Sequence, residues 1–350
     1  MIKYLGSKKT LLPQICRAVS HLPDVQSIAD VFSGTSRVGH VLKKKGYQVF
    51  SNDLNQYASA LARCYVEADF EDCFESATEL VQELNQLKGE AGYFTDTFCV
   101  QSRFFQPKNG ARVDAIRNKI KSLQLEPELE SVMLVSLMEA ADRVDSTVGL
   151  QMAYLKKWAP RAHNDLELRV PEILHRSKYG KGRAYNMDAI DFVSQVSVDL
   201  AYLDPPYNQH KYMANYHIWE TLIRWDEPEF YGVACKRMDV RERKSPYNSK
   251  RKALAAMREL IAAVQSRYLL VSFSDEGYIN RSEMEAILSE KGEVIVLENE
   301  YPRHIGARIG IHNQDGHKVG SVSHVKNIEY LYIVVPPADF LRVYNSIAEG

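Results

Sequence analysis

Short apolar runs and helix-period segments alternate at both ends of the chain. An apolar run at 28–32 stops at Ser33-Gly34, and a helical pattern over 38–45 leads to a second short run at 48–50. This order of strand, turn, helix and strand within about thirty residues is how a doubly wound parallel sheet begins. Further strand-length runs lie at 199–203, 268–273, 294–297 and 330–335. Other helical patterns lie at 11–19, 214–225, 251–265 and 282–289. The pattern predicts an α/β fold.

The middle of the chain follows a different pattern. From residue 56 to 178 apolar positions recur at three- and four-residue spacing, as at Ile116, Ile120 and Leu123, which indicates helices. No stretch rich in Pro, Gly or Ser marks either end of this segment. We therefore expect one sheet domain, formed by residues 1–55 and 179–350, with residues 56–178 as a helical insertion.

Composition narrows the class of protein without naming a partner. Of 350 residues, 45% are hydrophobic and 25% are charged, which is usual for a globular protein. Lys and Arg number 44 against 45 Asp and Glu, so the net charge of −1 neither requires nor excludes a nucleic acid. The five cysteines form no C-x-x-C pair, which argues against a disulfide scaffold or a structural zinc site. No apolar run is long enough for a signal peptide or a membrane span, and we expect a soluble cytoplasmic protein.

A glycine turn follows the first predicted strand. Residues 30–39 join that strand to a helix, and Asp53 ends the next strand nineteen residues after Gly34. A carboxylate there can accept both hydroxyl hydrogens of a ribose bound over the turn. A phosphate-binding P-loop needs Lys and then Ser or Thr where this chain has His40-Val41, and a dinucleotide motif needs glycine where it has Ser36. Taken alone, the turn fits a plain strand–helix connection equally well.

The tetrapeptide Asp204-Pro205-Pro206-Tyr207 directly follows the strand-like run 200–203. Two prolines supply no backbone donors, so the strand must end there. Backbone carbonyls and the Asp204 carboxylate can then accept hydrogen bonds from an amino group, beside the ring of Tyr207. An ordinary strand-ending turn is the alternative, but this tetrapeptide arises by chance in a chain of this length in roughly one case in a thousand.

With these motifs the sequence resembles the adenine-specific, S-adenosylmethionine-dependent DNA methyltransferases of the alpha class, the DPPY type. The resemblance covers nearly the whole chain. It implies a Rossmann-like methyltransferase sheet, mostly parallel and doubly wound, with a helical insertion and a C-terminal β-hairpin. It also implies that S-adenosyl-L-methionine is bound by Tyr4, Gly6, Lys8, Asp30, Phe32, Ser33, Gly34, Thr35, Ser36, Asp53, Asp188 and Ala189. Residues 271–277 resemble the family's later strand and turn near the target pocket. The chain departs from the usual Phe-x-Gly-x-Gly of the family at Ser36, where serine is small enough to fit.

The resemblance further implies a catalytic role for Asp204, Pro205, Pro206 and Tyr207. The exocyclic amine of adenine is a poor nucleophile because its lone pair is delocalised into the ring. Accepting its hydrogens at Asp204 and at the Pro205 carbonyl pushes the nitrogen towards tetrahedral geometry. The target base must leave the duplex, and stacking on Tyr207 offsets part of that cost. The implied partners are double-stranded DNA and a cognate restriction endonuclease, with no metal and no membrane.

Three segments carry candidate DNA contacts. A basic run beside the catalytic motif contributes Lys236, Arg237, Arg241, Arg243 and Lys244, and a solvated loop is the alternative for such a run. A ribbon turning at Asp315-Gly316 contributes Arg303, Arg308 and Lys318. The insertion, where the family has its target-recognition region, contributes Arg103, Lys108 and Arg112. The paired Phe104 and Phe105 in that region fit a core position as well as a base contact.

Other functions remain compatible with the sequence. An RNA adenine methyltransferase uses the same catalytic tetrapeptide. An amide methyltransferase that acts on protein glutamine usually has Asn at the first position, so Asp204 argues against it. A non-catalytic, cofactor-binding specificity subunit is a third alternative, against which the intact Asp204 and Tyr207 argue. We expect a DNA adenine-N6 methyltransferase that acts beside a restriction endonuclease.

Overall fold

A seven-stranded sheet forms the centre of the protein. The structure is a computed structural model that describes residues 1–4, 6, 8–209, 211–302, 311–312, 318–320 and 326–349. Its strands within those ranges are β1 (Ser27–Asp30), β2 (Gln48–Asn52), β3 (Arg183–Tyr185), β4 (Ser197–Leu203), β5 (Phe230–Tyr231), β6 (Lys236–Arg237), β7 (Gln265–Ser274), β8 (Glu293–Pro302), β9 (Ile311–His312), β10 (Lys318–Gly320) and β11 (Lys326–Val335). The main sheet has the order β3-β2-β1-β4-β7-β11-β8. Neighbours from β3 to β7 are parallel, and β11 lies antiparallel between β7 and β8. The mostly parallel α/β sheet predicted from the sequence is confirmed.

Thirteen helices are present in the described ranges. They are α1 (Leu12–His21), α2 (Arg37–Lys44), α3 (Gln56–Ala62), α4 (Phe70–Asn85), α5 (Tyr93–Thr95), α6 (Pro107–Leu123), α7 (Pro127–Arg143), α8 (Ala189–Gln195), α9 (Tyr212–Asn215), α10 (His217–Arg224), α11 (Ala253–Ala263), α12 (Arg281–Leu288) and α13 (Pro337–Glu349). Short π-helices continue α3 and α5 at Arg63–Glu67 and Asp96–Gln101. None of the helices in the described part of the chain has the length and apolarity that crossing a membrane requires.

Each face of the sheet is covered by its own apolar cluster. Successive residues of β4 point to opposite faces, so Leu200 and Tyr202 pack with α1 and α2, while Ala201 and Leu203 pack with α8, α11 and α12. This alternation gives β4 a continuous run of buried residues, which explains why its sequence reads as one apolar block. Helices on both faces leave the carboxyl edge of the parallel strands open for a site.

The helical insertion shares its core with one helix from outside it. The buried residues of α4, α6 and α7 cluster with Trp219 and Leu222 of α10. Phe104 and Phe105 are buried in the same cluster, so their core interpretation is the correct one. The domain division at residues 56 and 178 stays a prediction.

Several predicted elements differ from the observed ones. The single helix predicted over 214–225 is wrong, because α9 and α10 are separated at Tyr216. The strand β3 and the helices α8 and α13 were not predicted. Antiparallel β9 and β10 lie where the ribbon was predicted, with His312 opposite Lys318, while Asp315-Gly316 lies outside the described residues.

Candidate active site

The carboxyl ends of three neighbouring parallel strands bring three aspartates to one cavity. Asp30 ends β1, Asp53 follows β2 and Asp204 follows β4. The cavity beside them has a volume of about 420 Å³, within the range typical of small-molecule sites. Its lining includes nearly all the residues predicted to bind the cofactor: Tyr4, Gly6, Lys8, Asp30, Phe32, Ser33, Gly34, Thr35, Asp53, Asp188 and Ala189.

The glycine turn holds its shape by hydrogen bonds to Asp53. Gly34 has a positive φ of 52°, and a Cβ at this position would lie 3.4 Å from the hydroxyl of Tyr4. The Asp53 carboxylate accepts hydrogen bonds from the amides of Gly34 at 3.0 Å and Asn55 at 2.9 Å. Oδ1 also accepts from the Asn55 side-chain amide at 3.0 Å, which occupies both of its lone pairs, whereas the Oδ2 that accepts from Gly34 can take one more hydrogen bond, so Asp53 retains acceptor capacity through that oxygen. Burial raises the pKa of Asp53, opposed by the amides that donate to it.

Asp30 and Ser36 are buried residues of the glycine turn. Asp30 is buried and accepts a hydrogen bond from the Gly39 amide at 3.2 Å. Burial raises its pKa to about 8, and the charge of Asp204 adds to the increase. Ser36 is buried outside the cavity lining and has a left-handed φ of 58°, the conformation that glycine adopts most readily. The left-handed backbone at Ser36 therefore explains why glycine is the usual residue at this position of the motif.

Asp188 lies at the start of α8, on the rim of the same cavity. One of its oxygens caps the helix by accepting from the Ile190 amide at 2.9 Å. The preceding Asn186 donates to the Asp53 backbone carbonyl at 2.7 Å and so ties this loop to the end of β2. The two segments that the sequence assigns to one ligand are thus joined directly.

Only part of the tetrapeptide predicted to be catalytic lines the cavity. Asp204 and Pro206 line the cavity, whereas Pro205 is buried and Tyr207 lies outside the lining. The backbone carbonyl of Tyr207 accepts from the Tyr278 amide at 2.9 Å, and its ring lies edge-on to Phe273, 6.1 Å between centroids. The ring predicted to stack on the target base thus packs against a residue of β7 and does not line the cavity.

A buried ion cluster holds Asp204. The Lys8 ammonium lies 3.0 Å from Asp204 Oδ1 and 2.6 Å from Glu329 Oε1. Burial raises the pKa of Asp204 to about 6 against the opposing charge of Lys8, and Glu329 adds to the increase. Burial alone would lower the pKa of Lys8, but the two carboxylates raise it well above its usual value. At neutral pH the site therefore contains an ionised Asp204 beside a cation.

Comparison with known proteins decides the family. The model of the D12 class N6 adenine-specific DNA methyltransferases matches residues 4–287, which include the glycine turn and the tetrapeptide 204–207. The chain belongs to this family.

The methyltransferase relatives differ in length from this chain. Modification methylase StsI of Streptococcus sanguinis is 32% identical over 305 residues, which are 83% of this chain and 46% of that protein. Type II methyltransferase M.FokI of Planomicrobium okeanokoites is 33% identical over 309 residues, 83% of this chain and 47% of its own. The chain thus spans about half the length of these two relatives. Type II methyltransferase M.NlaIII of Neisseria lactamica is 28% identical over 347 residues, which cover 95% of this chain and 99% of that protein.

The methyltransferase cavity also contains residues that the sequence did not single out. Tyr212 lines it, and the ring of Tyr4 stacks between those of Tyr212 and Tyr216 at 5.4 and 4.5 Å. Tyr247 lines it from the basic loop and meets Phe32 edge-on at 5.4 Å. Aromatic residues after the catalytic tetrapeptide and within the basic run are the signals that would have indicated them.

Some residues of the basic run line the cavity and others do not. Arg243 and Lys244 line the cavity, and the exposed Arg241 lies over the ring of Tyr231 at 3.9 Å. Lys236 is half-buried in β6.

Arg237 is a structural residue and no longer a candidate for DNA contact. Its side chain is 2% exposed and bonds to Asp226 at 2.7 Å and to Asp239 at 3.0 Å. Burial opposes the charge, but the two carboxylates raise its pKa above the usual value. An arginine held by two carboxylates in the interior cannot reach a phosphate.

The insertion candidates all make contacts within the chain. Arg103 lies over the Trp158 ring at 4.7 Å, and Lys108 forms an exposed ion pair with Asp165 at 2.6 Å. Arg112 donates to the Leu87 and Asn85 carbonyls. Arg303 and Arg308, as well as the side chain of Lys318, lie outside the described residues. Among the described residues no cluster of His, Cys, Asp or Glu is arranged to hold a metal ion.

Proposed function

We propose that this protein transfers the methyl group of S-adenosylmethionine to the N6 amine of an adenine turned out of duplex DNA. The observation that carries the proposal is Asp204, which follows β4 at the edge of a nucleoside-sized cavity in a chain of this family. The names of the relatives, modification methylases and type II methyltransferases, support a role beside a restriction endonuclease.

The cavity residues fit the proposed cofactor. Asp53 offers the remaining acceptor capacity of its carboxylate to the ribose hydroxyls, and Asp188 offers its second oxygen to the adenine amino group. The left-handed Gly34 leaves room beside Tyr4 that a side chain would fill. When bound, S-adenosylmethionine supplies an electrophilic methyl group on a positively charged sulfur.

Asp204 orients and activates the target amine in this proposal. As an ionised carboxylate it accepts a hydrogen bond from one amine hydrogen, and the Pro205 carbonyl accepts one from the other; when the nitrogen has gained the methyl group it releases one proton, which Asp204 can take up. The nitrogen lone pair then points away from the base plane. Positioning of this kind lowers the barrier because the reacting atoms no longer have to find each other by diffusion. Removal of water from the cavity strengthens both hydrogen bonds.

Arg241, Arg243 and Lys244 are the proposed phosphate contacts beside the cavity. Arg243 and Lys244 line the cavity, and Arg241 lies two residues before Arg243 in the same basic run. Contacts to phosphate release counterions, so replacing Arg243 and Lys244 by glutamine should weaken DNA binding and reduce its dependence on salt by about one ion per contact. An unchanged salt slope would remove them from the DNA surface. The other predicted DNA contacts remain proposals with less support, because they do not line the cavity or lie outside the described residues: Arg103, Lys108, Arg112, Lys236, Arg303, Arg308 and Lys318.

The test is mass spectrometry of nucleosides from unmethylated duplex DNA incubated with the protein and S-adenosylmethionine. We expect 6-methyladenine with the wild type, and none with Asp204→Ala, whose cofactor affinity by calorimetry should be retained. Asp191→Ala, an exposed aspartate on α8, is the matched control and should methylate normally. Unmodified DNA together with intact cofactor binding would refute the proposal and direct the same assay to RNA.

A further inference from the structure

Glu329 occupies an unusual place for a carboxylate. Glu329 lies within β11, the strand between β7 and β8, and is 1% exposed. Its Oε1 accepts hydrogen bonds from the Lys8 ammonium at 2.6 Å and the Ser272 hydroxyl at 2.5 Å. Burying a carboxylate in a sheet costs several kcal/mol of hydration unless charges and donors compensate. The segment matched by the family model ends at residue 287, before Glu329.

Lys8 links this glutamate to the reacting centre. Its ammonium lies between two carboxylates and is nearer to Glu329, at 2.6 Å, than to Asp204, at 3.0 Å. With a single partner the ammonium would pair fully with Asp204, and the carboxylate would be less available to a substrate amine. With two carboxylate partners the Lys8 ammonium is shared between them. It can then orient the Asp204 carboxylate while much of the negative charge of Asp204 stays uncompensated.

We propose that Glu329 is a positioning residue for methyl transfer, which holds the Lys8 ammonium so that it orients the Asp204 carboxylate without neutralising it. This inference rests on the proposed function, because the role of Asp204 comes from there. Glu329 itself touches neither of the proposed substrates; it acts through Lys8.

Other ionisable groups near Asp204 leave this interpretation intact. In the described part of the chain the groups coupled to it, besides Lys8 and Glu329, are Asp30, Tyr202, Tyr207 and Tyr212. Burial raises the pKa of each tyrosine above its usual value, and that of Asp30 to about 8, so all four are mainly neutral between pH 5 and 7. Lys8 and Glu329 therefore dominate the local charge in that range.

The test is the pH dependence of kcat/KM for duplex DNA in Glu329→Gln. The amide keeps the size of the side chain and can still accept from Ser272, but it removes the negative charge. Because that charge raises the pKa of Asp204, the acid limb should move down by about one pH unit. At pH 5 the variant should then retain about half of its own pH 8 activity, where the wild type retains about a tenth. The kcat at pH 8 should fall while the affinity for DNA stays unchanged.

Two controls separate this role from simple structural support. Glu293→Gln makes the same chemical change at an exposed site of β8, at the far end of the same sheet, and should leave the pH profile unmoved. If Glu329→Gln lowers stability and activity together but keeps the wild-type acid limb, Glu329 is only structural and the inference is overturned. If Glu329→Gln fails to fold, the test uses Glu329→Asp. Its shorter side chain keeps the negative charge but places it farther from the Lys8 ammonium. It should then reduce kcat by about tenfold, and a wild-type kcat would overturn the inference.

A measurement without turnover distinguishes this inference from the proposed function. Carboxyl ¹³C NMR, with the Asp204 signal assigned by its loss in Asp204→Asn, reports the pKa of that group directly. A lower Asp204 pKa in Glu329→Gln supports the coupling even if the wild type methylates no DNA, in which case only the proposed function fails. An unchanged Asp204 pKa overturns the inference even if the wild type is fully active.

Discussion

The ionisation of Asp204 predicts how methylation depends on pH. Burial raises its pKa to about 6, Lys8 opposes that change and Glu329 adds to it. The ionised carboxylate accepts a stronger hydrogen bond from the target amine than the neutral acid does, and only the ionised form can take up the proton that the amine releases. Activity should therefore be present above this pKa and lost as the pH falls through it, which is two pH units above the loss expected for an ordinary aspartate.

The size of the effect follows from the ionised fraction. With a pKa of about 6, kcat/KM should fall to about half of its pH 8 value at pH 6 and to about a tenth at pH 5. The choice of kinetic parameter matters. The pH dependence of kcat/KM reports the pKa values of the free enzyme, whereas that of kcat reports the pKa values of the enzyme–substrate complex. Binding of a positively charged cofactor should lower the Asp204 pKa, so the kcat profile should be displaced to lower pH.

The assay is quenched-flow methylation of a duplex oligonucleotide at constant ionic strength between pH 5 and 8. Cofactor affinity is measured by calorimetry over the same range, so that a loss of binding is not mistaken for a loss of activation. A kcat/KM that is constant down to pH 5 would refute the reasoning. It would mean that Asp204 titrates like an exposed aspartate or that its charge is not needed.

Four further predictions test the surroundings of the site. Asp53→Ala removes the acceptor of the Gly34 amide and should raise the cofactor Kd by about tenfold or more in calorimetry. Asp30→Asn should leave that Kd unchanged at pH 7, because burial raises the pKa of Asp30 to about 8 and it is already neutral there. Asp30 itself destabilises the wild type increasingly as the pH rises from 4 to 8, since unfolding lets it release its proton, so denaturant titrations should favour the asparagine variant increasingly over that range. Lys43→Met takes from the buried Asp69 one of its two cationic partners, the ammonium at 2.8 Å, and leaves Arg176 at 2.7 Å, so it should lower the free energy of unfolding by about 2 kcal/mol; a loss below about 1 kcal/mol would contradict this. Ser36→Gly relieves a left-handed serine and should raise the free energy of unfolding by about 1 kcal/mol in urea titrations.

The site could be predicted to the extent that it consists of strand ends. Asp204 directly follows an apolar run, Asp53 comes three residues after one, and Asp30 lies within the run at 28–32; parallel strands of a doubly wound sheet place residues near their carboxyl ends at one edge. The positions were therefore readable once the runs were recognised as strands. The sequence also marked Ser36 as a departure from the glycine pattern, but only its φ of 58° explains the preference for glycine there.

Contacts between distant segments were beyond the sequence. Lys8 and Glu329 are 321 residues apart, and no local pattern links a glutamate in the middle of β11 to an N-terminal lysine. An isolated Glu between apolar residues predicts a solvent-facing position on a strand. Its burial follows from β11 lying between β7 and β8, and strand order depends on the whole sheet.

The basic run shows why charge along the chain is weaker evidence than charge in space. Arg237 and Arg243 are six residues apart and looked equivalent, yet one is held in the interior and the other lines the cavity. The difference arises from Asp226, eleven residues before Arg237, which approaches it because α10 ends at Arg224 and the chain returns through the β5–β6 pair. A guanidinium that meets two carboxylates on that return is neutralised before any DNA could reach it, whereas Arg243, beyond the turn at Met238–Val240, lines the cavity and, within the described part of the chain, has a single carboxylate neighbour, Glu220, at 3.8 Å. Removing Arg237 should therefore destabilise the loop that presents Arg243, and a loss of DNA binding in an Arg237 variant would not by itself be evidence of a phosphate contact.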